Sequence, residues 1–424
     1  MQKHVLIIGN GIAGITTAIN LRKLDSDTLI TVVSEETEYF FSRTALMYVF
    51  MGHMKFEHTQ PYENHFWKEN KIELLKATVK SVLPNENAVV FESNEKLKYD
   101  QLVIATGSKP NKFGWPGQDL AGVSGLYHKK DLEYVNDLAP KIKKAVIVGG
   151  GLIGIELAEM LHSKGKEVVF LVRESSFWNN VLSENEAEII NKQILDHGID
   201  LRLSAELDEI IGQSKEVAQV KTKSGELIDC QYVGLTVGVS PNIEFLKDSG
   251  IETKRGVMVN RMLQTNFENI YAIGDCAEQK EALPNRRPIE AVWYTGKIMG
   301  EALAKTLNGK PTEYAPGHWF NSAKFFDIEY QVYGDMPAVT PEGQTEFFWK
   351  NKENNKSIRI LFETENRKFI GINTLGIRLR HAFFNEVLDN EQTVDYVLDN
   401  LTKANFDPEF YKRYEKEIQS AFNK

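Results

Sequence analysis

The stretch Val5-Leu6-Ile7-Ile8-Gly9-Asn10-Gly11-Ile12-Ala13-Gly14 decides how this chain is read. Its four consecutive aliphatic residues have the length and β-branched character of a strand buried on both faces. Glycines at 9, 11 and 14 then interrupt the run, and Ile15 to Leu24 reads as a helix. A second β-branched run, Leu29 to Val33, ends in Ser34-Glu35-Glu36. Strand, glycine turn, helix and strand make one βαβ unit. In such a unit Gly9 permits the tight turn, Gly11 lets backbone approach a pyrophosphate, and Gly14 lets helix and strand pack closely. The helix N-terminus then faces the phosphates. Glu35 is the carboxylate expected to accept hydrogen bonds from ribose hydroxyls, with Glu36 the alternative one position on. The uncharged span from His4 to Leu21 resembles a secretory leader only superficially. Gly9, Asn10, Gly11 and Gly14 interrupt it and no small-x-small cleavage pattern follows, so strand–turn–helix is the expectation.

The same pattern restarts 140 residues downstream. Ala145-Val146-Ile147-Val148 leads into Gly149-Gly150-Gly151-Leu152-Ile153-Gly154, then a helix from Ile155 to Lys164 and a strand from Val168 to Val172. A repeat at this spacing is a duplicated domain, not a solenoid. Gly149, Gly151 and Gly154 are expected to repeat the roles of the first three glycines. The second strand tip differs, because Arg173 stands where the first copy has acids. An arginine there pairs with a 2′-phosphate and favours NADPH over NADH. Glu174 beside it argues the other way, and a surface arginine without a ligand is the competing reading. Two dinucleotide folds imply two dinucleotides, one a resident redox cofactor and one a diffusible donor. Near Tyr314-Ala315-Pro316-Gly317 the character changes. Strands are expected at Tyr330 to Tyr333, Thr345 to Trp349, Ser357 to Phe362 and Lys368 to Asn373, with helices from His381 onward. The fold class is therefore α/β, with two Rossmann-like domains and a C-terminal α+β domain.

Composition sets the limits. At 424 residues the chain has room for about three domains. Its 42% hydrophobic and 26% charged residues are those of a globular protein that needs no disulfide or metal staple. A net charge of −9 excludes a basic nucleic-acid binder. Two cysteines exclude a disulfide framework and a four-cysteine zinc or iron–sulfur site, and fit a reducing, cytoplasmic compartment. No segment is expected to insert in a membrane, and Tyr411 to Lys424 is charged on most faces, unlike an interfacial anchor. No His/Cys/Asp cluster has metal-ligand spacing, and no Gly-x-Ser-x-Gly elbow occurs.

Four motifs occur in one order: the first glycine fingerprint, Ala105-Thr106-Gly107 after an aliphatic strand, the second fingerprint with Glu156, and Asn269-Ile270-Tyr271-Ala272-Ile273-Gly274-Asp275. On these the chain resembles the two-dinucleotide-binding flavoproteins of the glutathione reductase superfamily, the FAD-dependent pyridine nucleotide-disulfide oxidoreductases. Gly238-Val239-Ser240-Pro241-Asn242 is similar to that family's return into the FAD domain. The resemblance covers residues 1–310 strongly and the remainder weakly. It implies FAD in the first fold and NAD(P)H in the second. It implies a discontinuous FAD domain at 1–112 and 242–316, an NAD(P)H domain at 113–241, and a capping or interface domain at 317–424. It also implies that Thr106, Gly107, Gly238 and Gly274 lie at the cofactors, that Asp275 bonds the FAD ribitol, and that Glu156 lies at the flavin–nicotinamide contact. Read without the resemblance, Asp275 caps a following helix and Glu156 is an exposed first-turn acid.

In that family, disulfide reductases carry a redox cysteine pair after the first acidic tip, and coenzyme A disulfide reductases and water-forming NADH oxidases a single cysteine, where this chain has Tyr39 to Tyr48 and none. Cys230 and Cys276 read as inert structural thiols. The chain therefore resembles the cysteine-free branch: ferredoxin and rubredoxin reductases, NAD(P)H nitrite reductase flavin domains and apoptosis-inducing-factor-like flavoproteins. Ser42-Arg43-Thr44-Ala45-Leu46 is similar to that branch's Ser-Arg-Pro-Pro-Leu, which implies that Arg43 contacts FAD. Tyr48 stands where the branch has lysine. Gly317-His318-Trp319-Phe320-Asn321-Ser322 resembles its Phe-Trp-Ser-Asp segment, with Ala323 in place of the aspartate. Trp319 and Phe320 either flank the isoalloxazine or open the core of the C-terminal domain. Glu290 and Trp293 fall in the family's flavin-facing loop and helix. The quinone pattern of type II NADH dehydrogenases is absent from Val292 to Lys297. The implied activity is hydride transfer from nicotinamide C4 to flavin N5, then electron transfer to an acceptor such as a ferredoxin- or rubredoxin-like protein. The alternative is a flavin-bearing NAD(P)H-binding regulatory protein or redox-complex subunit with slow turnover. Arg378, Arg380 and His381 form a basic group that either docks an acidic partner or is ordinary solvated charge. The oligomeric state is open.

Overall fold

A computed structural model describes residues 2–406 and 413–423, so Tyr411, Lys412 and Lys424 of the C-terminal stretch lie outside the described residues. The chain forms two compact units. The first comprises Met1–Asn111, Tyr127–Asp137 and Gly238–Pro316; the second comprises Lys112–Leu126, Leu138–Val237 and Gly317–Lys424.

The first unit is built on a parallel sheet in the order Ile270–Ala272, Gln101–Ile104, His4–Ile8, Leu29–Ser34, Ile72–Lys76. Val5 lies opposite Ile30 on one side and Gln101 on the other. Val5, Leu6 and Ile7 are wholly buried, as an unbroken aliphatic run requires in a sheet covered on both faces. The helix follows the turn directly at Ile12–Leu24 and packs on a second helix, Trp293–Leu307. The two approach so closely that a β-carbon on Gly300 would lie 2.7 Å from Ala13 O. The chain winds to one side of His4–Ile8 through Leu29–Ser34 and to the other through Gln101–Ile104. The crevice at the carboxyl ends of those strands is the topological switch point. Gly9, Ala105-Thr106-Gly107 and Gly274-Asp275 all follow the carboxyl ends of neighbouring strands there.

The second unit contains a matching parallel sheet, Asp200–Leu203, Glu167–Val172, Lys144–Val148, Tyr232–Leu235, Val123–Ser124. Its helix, Leu152–Ser163, begins straight after Gly151. The same unit holds an antiparallel sheet in the order Phe320–Phe325, Ile328–Gly334, Phe369–Leu375, Ser357–Glu363, Gln344–Lys350. Helices His381–Asp389, Val394–Asp399 and Glu415–Phe422 bury one face of it. Four of the five strands lie where the sequence places them. Phe320–Phe325 is the addition, and it begins one residue after Trp319. No helix among the described residues is long and apolar enough to cross a membrane.

Candidate functional site

In the first unit the glycine turn has the geometry its sequence implies. Gly9 has φ +113°, and a β-carbon on it would sit 2.1 Å from Ala105 O. Only glycine occupies that conformation without strain. A β-carbon on Gly14 would sit 2.1 Å from Gly9 O, so this position is consumed by helix–strand packing. A β-carbon on Gly11 would meet no protein atom within 4 Å. The protein's own packing therefore does not need glycine at 11, and the space beside it is open to a group approaching the helix N-terminus. The second unit repeats this. Gly149 (φ +121°) lies against Thr236 O, Gly154 against Gly149 O, and Gly151 faces open space. Both turns fit a dinucleotide pyrophosphate.

Around the first turn the polar residues converge. Glu36 accepts hydrogen bonds from Arg43 Nη2 (2.6 Å) and Nη1 (3.2 Å) and from Lys129 N (2.6 Å), with His128 Nδ1 at 3.7 Å. Burial pushes the Glu36 carboxyl up, but the His128 imidazole and the Arg43 guanidinium outweigh it and hold it at about 2. Arg43 also donates to Tyr127 O and stacks over the rings of Phe41 and Tyr127 at 5.1 and 4.7 Å. Glu35 is exposed and has no protein partner among the described residues, which leaves it open to a ribose. Asp275 accepts from Ser108 Oγ at 3.1 Å. Burial raises its carboxyl, and the Ser108 hydroxyl and Arg43 charge offset part of that rise. Tyr127 accepts from Ser108 N at 3.2 Å; burial and the Asp275 carboxylate push its phenol up to about 12. Thr106 Oγ1 donates to Asn242 O (2.7 Å) and Asn242 N to Gly107 O (2.9 Å), tying two motif segments together. Gly238 O accepts from Asn111 N at 3.0 Å.

One competing reading changes. Asp275 caps no helix: the Gly274–Cys276 turn runs into the strand Ala277–Gln279, and the next helix starts at Trp293. The carboxylate of Glu290 is taken on both oxygens, by Arg286 Nε on Oε1 and by Tyr314 OH at 2.7 Å on Oε2. Ser108, Tyr127, His128 and Lys129 join the site without being among the residues expected from the sequence. Ser108 was findable as the residue after Thr106-Gly107, but nothing local marks the other three.

In the second unit Glu156 sits in the second turn of Leu152–Ser163. Burial and the Glu159 carboxylate push it up to about 7. Glu159 accepts from Phe326 N at 3.2 Å, and Phe326 stacks on His197 with ring centroids 4.2 Å apart. Arg173 is 70% exposed in its side chain and donates from Nε (3.2 Å) and Nη2 (2.8 Å) to Glu174 Oε1. Trp319 is half-buried, and its carbonyl accepts from Gly334 N at 2.9 Å. Phe320 stacks on Tyr333 at 5.2 Å and meets His381 edge-on, so it opens the core of the antiparallel sheet. Arg378 lies over the Phe406 ring and 3.7 Å from Glu329, so the Arg378–His381 group is split among separate contacts. Both cysteines are free and buried, Cys230 at 1% and Cys276 at 0% exposure. Burial pushes both thiols up, Cys230 to about 12. Among the described residues no group of three or more His, Cys, Asp or Glu could hold a metal ion.

The sequence profile of the pyridine nucleotide-disulphide oxidoreductases matches residues 3–295. The chain belongs to this family. It is an FAD-dependent NAD(P)H oxidoreductase. The chain is 32% identical to an NADH oxidase of Methanocaldococcus jannaschii, over 77% of this chain and 75% of that one. An NADH-rubredoxin oxidoreductase of Clostridium acetobutylicum is 28% identical over 94% of this chain and 99% of its own. The chain spans only 35% of a nitrite reductase [NAD(P)H] of Bacillus subtilis that it also matches, at 28% identity over 66% of its own length. The fold is that of a ferredoxin reductase from Rhodopseudomonas palustris, with a TM-score of 0.82, 21% identity and coverage of 99% and 100% of the two chains.

Proposed function

We propose that the first unit holds FAD, that the second holds the nicotinamide nucleotide, and that electrons leave directly to a small iron–sulfur protein of the ferredoxin or rubredoxin kind. One observation carries the direct exit. The chain has two thiols, and both are buried and held protonated, so no thiolate is available as a relay. Bound FAD supplies a two-electron acceptor for hydride from nicotinamide C4 and a donor able to pass electrons onward.

The protein's part is binding, orientation and charge. Gly9 and Gly11 bring backbone and the Ile12 helix N-terminus to the pyrophosphate, and Glu35 accepts from the ribose. Asp275 accepts from ribityl hydroxyls in a setting already fixed by Ser108 and Arg43. In the second unit Gly149, Gly151 and Gly154 repeat the pyrophosphate site. Glu156, poised near 7, holds a proton at its carboxyl below that pH and releases it above. The near full-length relative named for NADH and rubredoxin supports the choice of acceptor.

The test is stopped flow under anaerobic conditions. Mixing with reduced nicotinamide nucleotide bleaches the yellow protein within seconds. Rubredoxin or ferredoxin then restores the colour faster than quinone, oxygen or glutathione disulfide. Bleaching over minutes, or fastest reoxidation by a disulfide, would count against the proposal.

A further inference from the structure

We infer that Glu174 makes the second nucleotide site select NADH over NADPH, by neutralising the one arginine placed to read a 2′-phosphate. The inference rests on the reading of that unit as the nicotinamide nucleotide site. The two copies of the fold can be aligned by hydrogen bonds instead of by residue count. Gly9 N donates to Val33 O at 2.7 Å, and Gly149 N donates to Leu171 O at 3.0 Å. Leu171 is therefore the counterpart of Val33, and Arg173 and Glu174 are the counterparts of Glu35 and Glu36. In the first fold the residue at the outer position, Glu35, is free, while Glu36 is consumed by an arginine. In the second fold Glu174 again takes an arginine, but here that arginine is the outer residue itself.

Arg173 read alone favours NADPH; Arg173 paired with Glu174 does not. A single oxygen, Glu174 Oε1, receives both Nε and Nη2 of the guanidinium. The Glu174 carbonyl is fixed to the neighbouring strand end by Ser204 N at 2.8 Å, which anchors the acid at the tip. The cations of that neighbouring edge are also matched. Arg202 is bound by Asp200 and Glu226, and Lys223 by Glu206. The segment from Ser175 to Leu182 that follows the tip has no Lys, Arg or His. Three cations thus face four carboxylates. A ribose 2′-hydroxyl can donate to such a surface, whereas a 2′-phosphate with its negative charge meets Arg173, Arg202 and Lys223 each already opposed by a carboxylate.

The test uses the flavin-loaded protein and two probes that differ only in the 2′-phosphate, 5′-AMP and 2′,5′-ADP, titrated by calorimetry so that no turnover is needed. The native protein binds 5′-AMP more tightly than 2′,5′-ADP. Glu174→Gln shifts the ratio toward 2′,5′-ADP by about tenfold, the scale of one charge-assisted contact, and adding Arg173→Ala abolishes the shift. The kcat/KM ratio of NADH to NADPH moves with it. A native preference for 2′,5′-ADP, or an unchanged ratio in Glu174→Gln, overturns the inference and leaves the nucleotide site standing. Failure of the native protein to bind either probe overturns the site and the inference together.

Discussion

Gly11 and Gly14 are the same residue type three positions apart, yet they serve different masters. At Gly14 the neighbour is the protein, 2.1 Å from where a β-carbon would sit; at Gly11 it is open space. Gly14→Ala should therefore lower the stability of the flavin-free protein by about 1–3 kcal/mol, read as a shift in denaturant midpoint. Gly11→Val should leave that midpoint nearly unmoved and abolish the flavin absorbance of the purified protein. A yellow, FAD-loaded Gly11→Val protein would remove this loop from the cofactor site. The adjacent acids divide in the same way. Their place at a strand tip was legible in the sequence. Which of them is free was not, because it depends on Lys129, 93 residues away, and on Arg43. A carboxyl held at about 2, below its unfolded value, stabilises the fold above pH about 4.5 and loses that contribution as pH falls toward 2. Glu36→Gln should flatten the acid limb of the stability curve in that window, by at most about 3 kcal/mol. An unchanged acid limb would mean that the Arg43 pair contributes nothing net.

The helix Glu184–Asp196 shows what a single element can hide. Ser183-Glu184-Asn185-Glu186 is a capping box, and Glu186 Oε2 accepts from Ser183 N at 2.9 Å. That much is local and visible in the sequence. The same oxygen lies 3.6 Å from Nη1 of Arg359, on a strand of the antiparallel sheet in the same unit, and both side chains are fully buried. An arginine in the middle of Ser357-Ile358-Arg359-Ile360-Leu361 signals that an acid must oppose it, but pattern does not say which. Glu346 takes Nε at 2.8 Å and keeps a 25% exposed side chain, so it can turn to solvent if its partner is lost. Glu186 cannot. Arg359→Met should therefore cost about 3–5 kcal/mol, because it strands a buried carboxylate whose pKa burial already raises. Adding Glu186→Gln, which keeps the capping geometry, should recover much of that loss in urea denaturation. If the double variant is no more stable than the single, the penalty lies in packing and not in the orphaned charge.

Across the whole molecule, what was legible followed from chain-local grammar: the two glycine fingerprints, Ala105-Thr106-Gly107 and Gly274-Asp275 each sit directly after an aliphatic run, and parallel strands deliver such turns to one edge. Four of the five strands of the antiparallel sheet were legible; Phe320–Phe325 and the strand order were not, since Phe369–Leu375 inserts between Ile328–Gly334 and Ser357–Glu363, a pairing that only long-range contacts decide. The absence of cysteine from Tyr39 to Tyr48 is likewise a local fact with a molecule-wide consequence, because it leaves Cys230 and Cys276 as the two thiols that could serve as a relay. Cys276 follows Asp275, which the proposed function places at the flavin, and is the one that must be excluded by experiment. Its sulfur sits against Ile273 O and Ile104 O, at 3.2 and 3.4 Å, with no exposure. A serine hydroxyl there keeps an acceptor, so Cys276→Ser should fold. The prediction is that native protein reacts with a thiol reagent at neither cysteine until denatured, and that the Cys230→Ser, Cys276→Ser double variant keeps turnover with an iron–sulfur acceptor within about twofold, since a protonated buried thiol has no nucleophilic part to lose. Rapid labelling of Cys276 in the native state, with loss of turnover in proportion to the label, would show that the thiol is reached and used, and the direct route from flavin to acceptor would have to be given up.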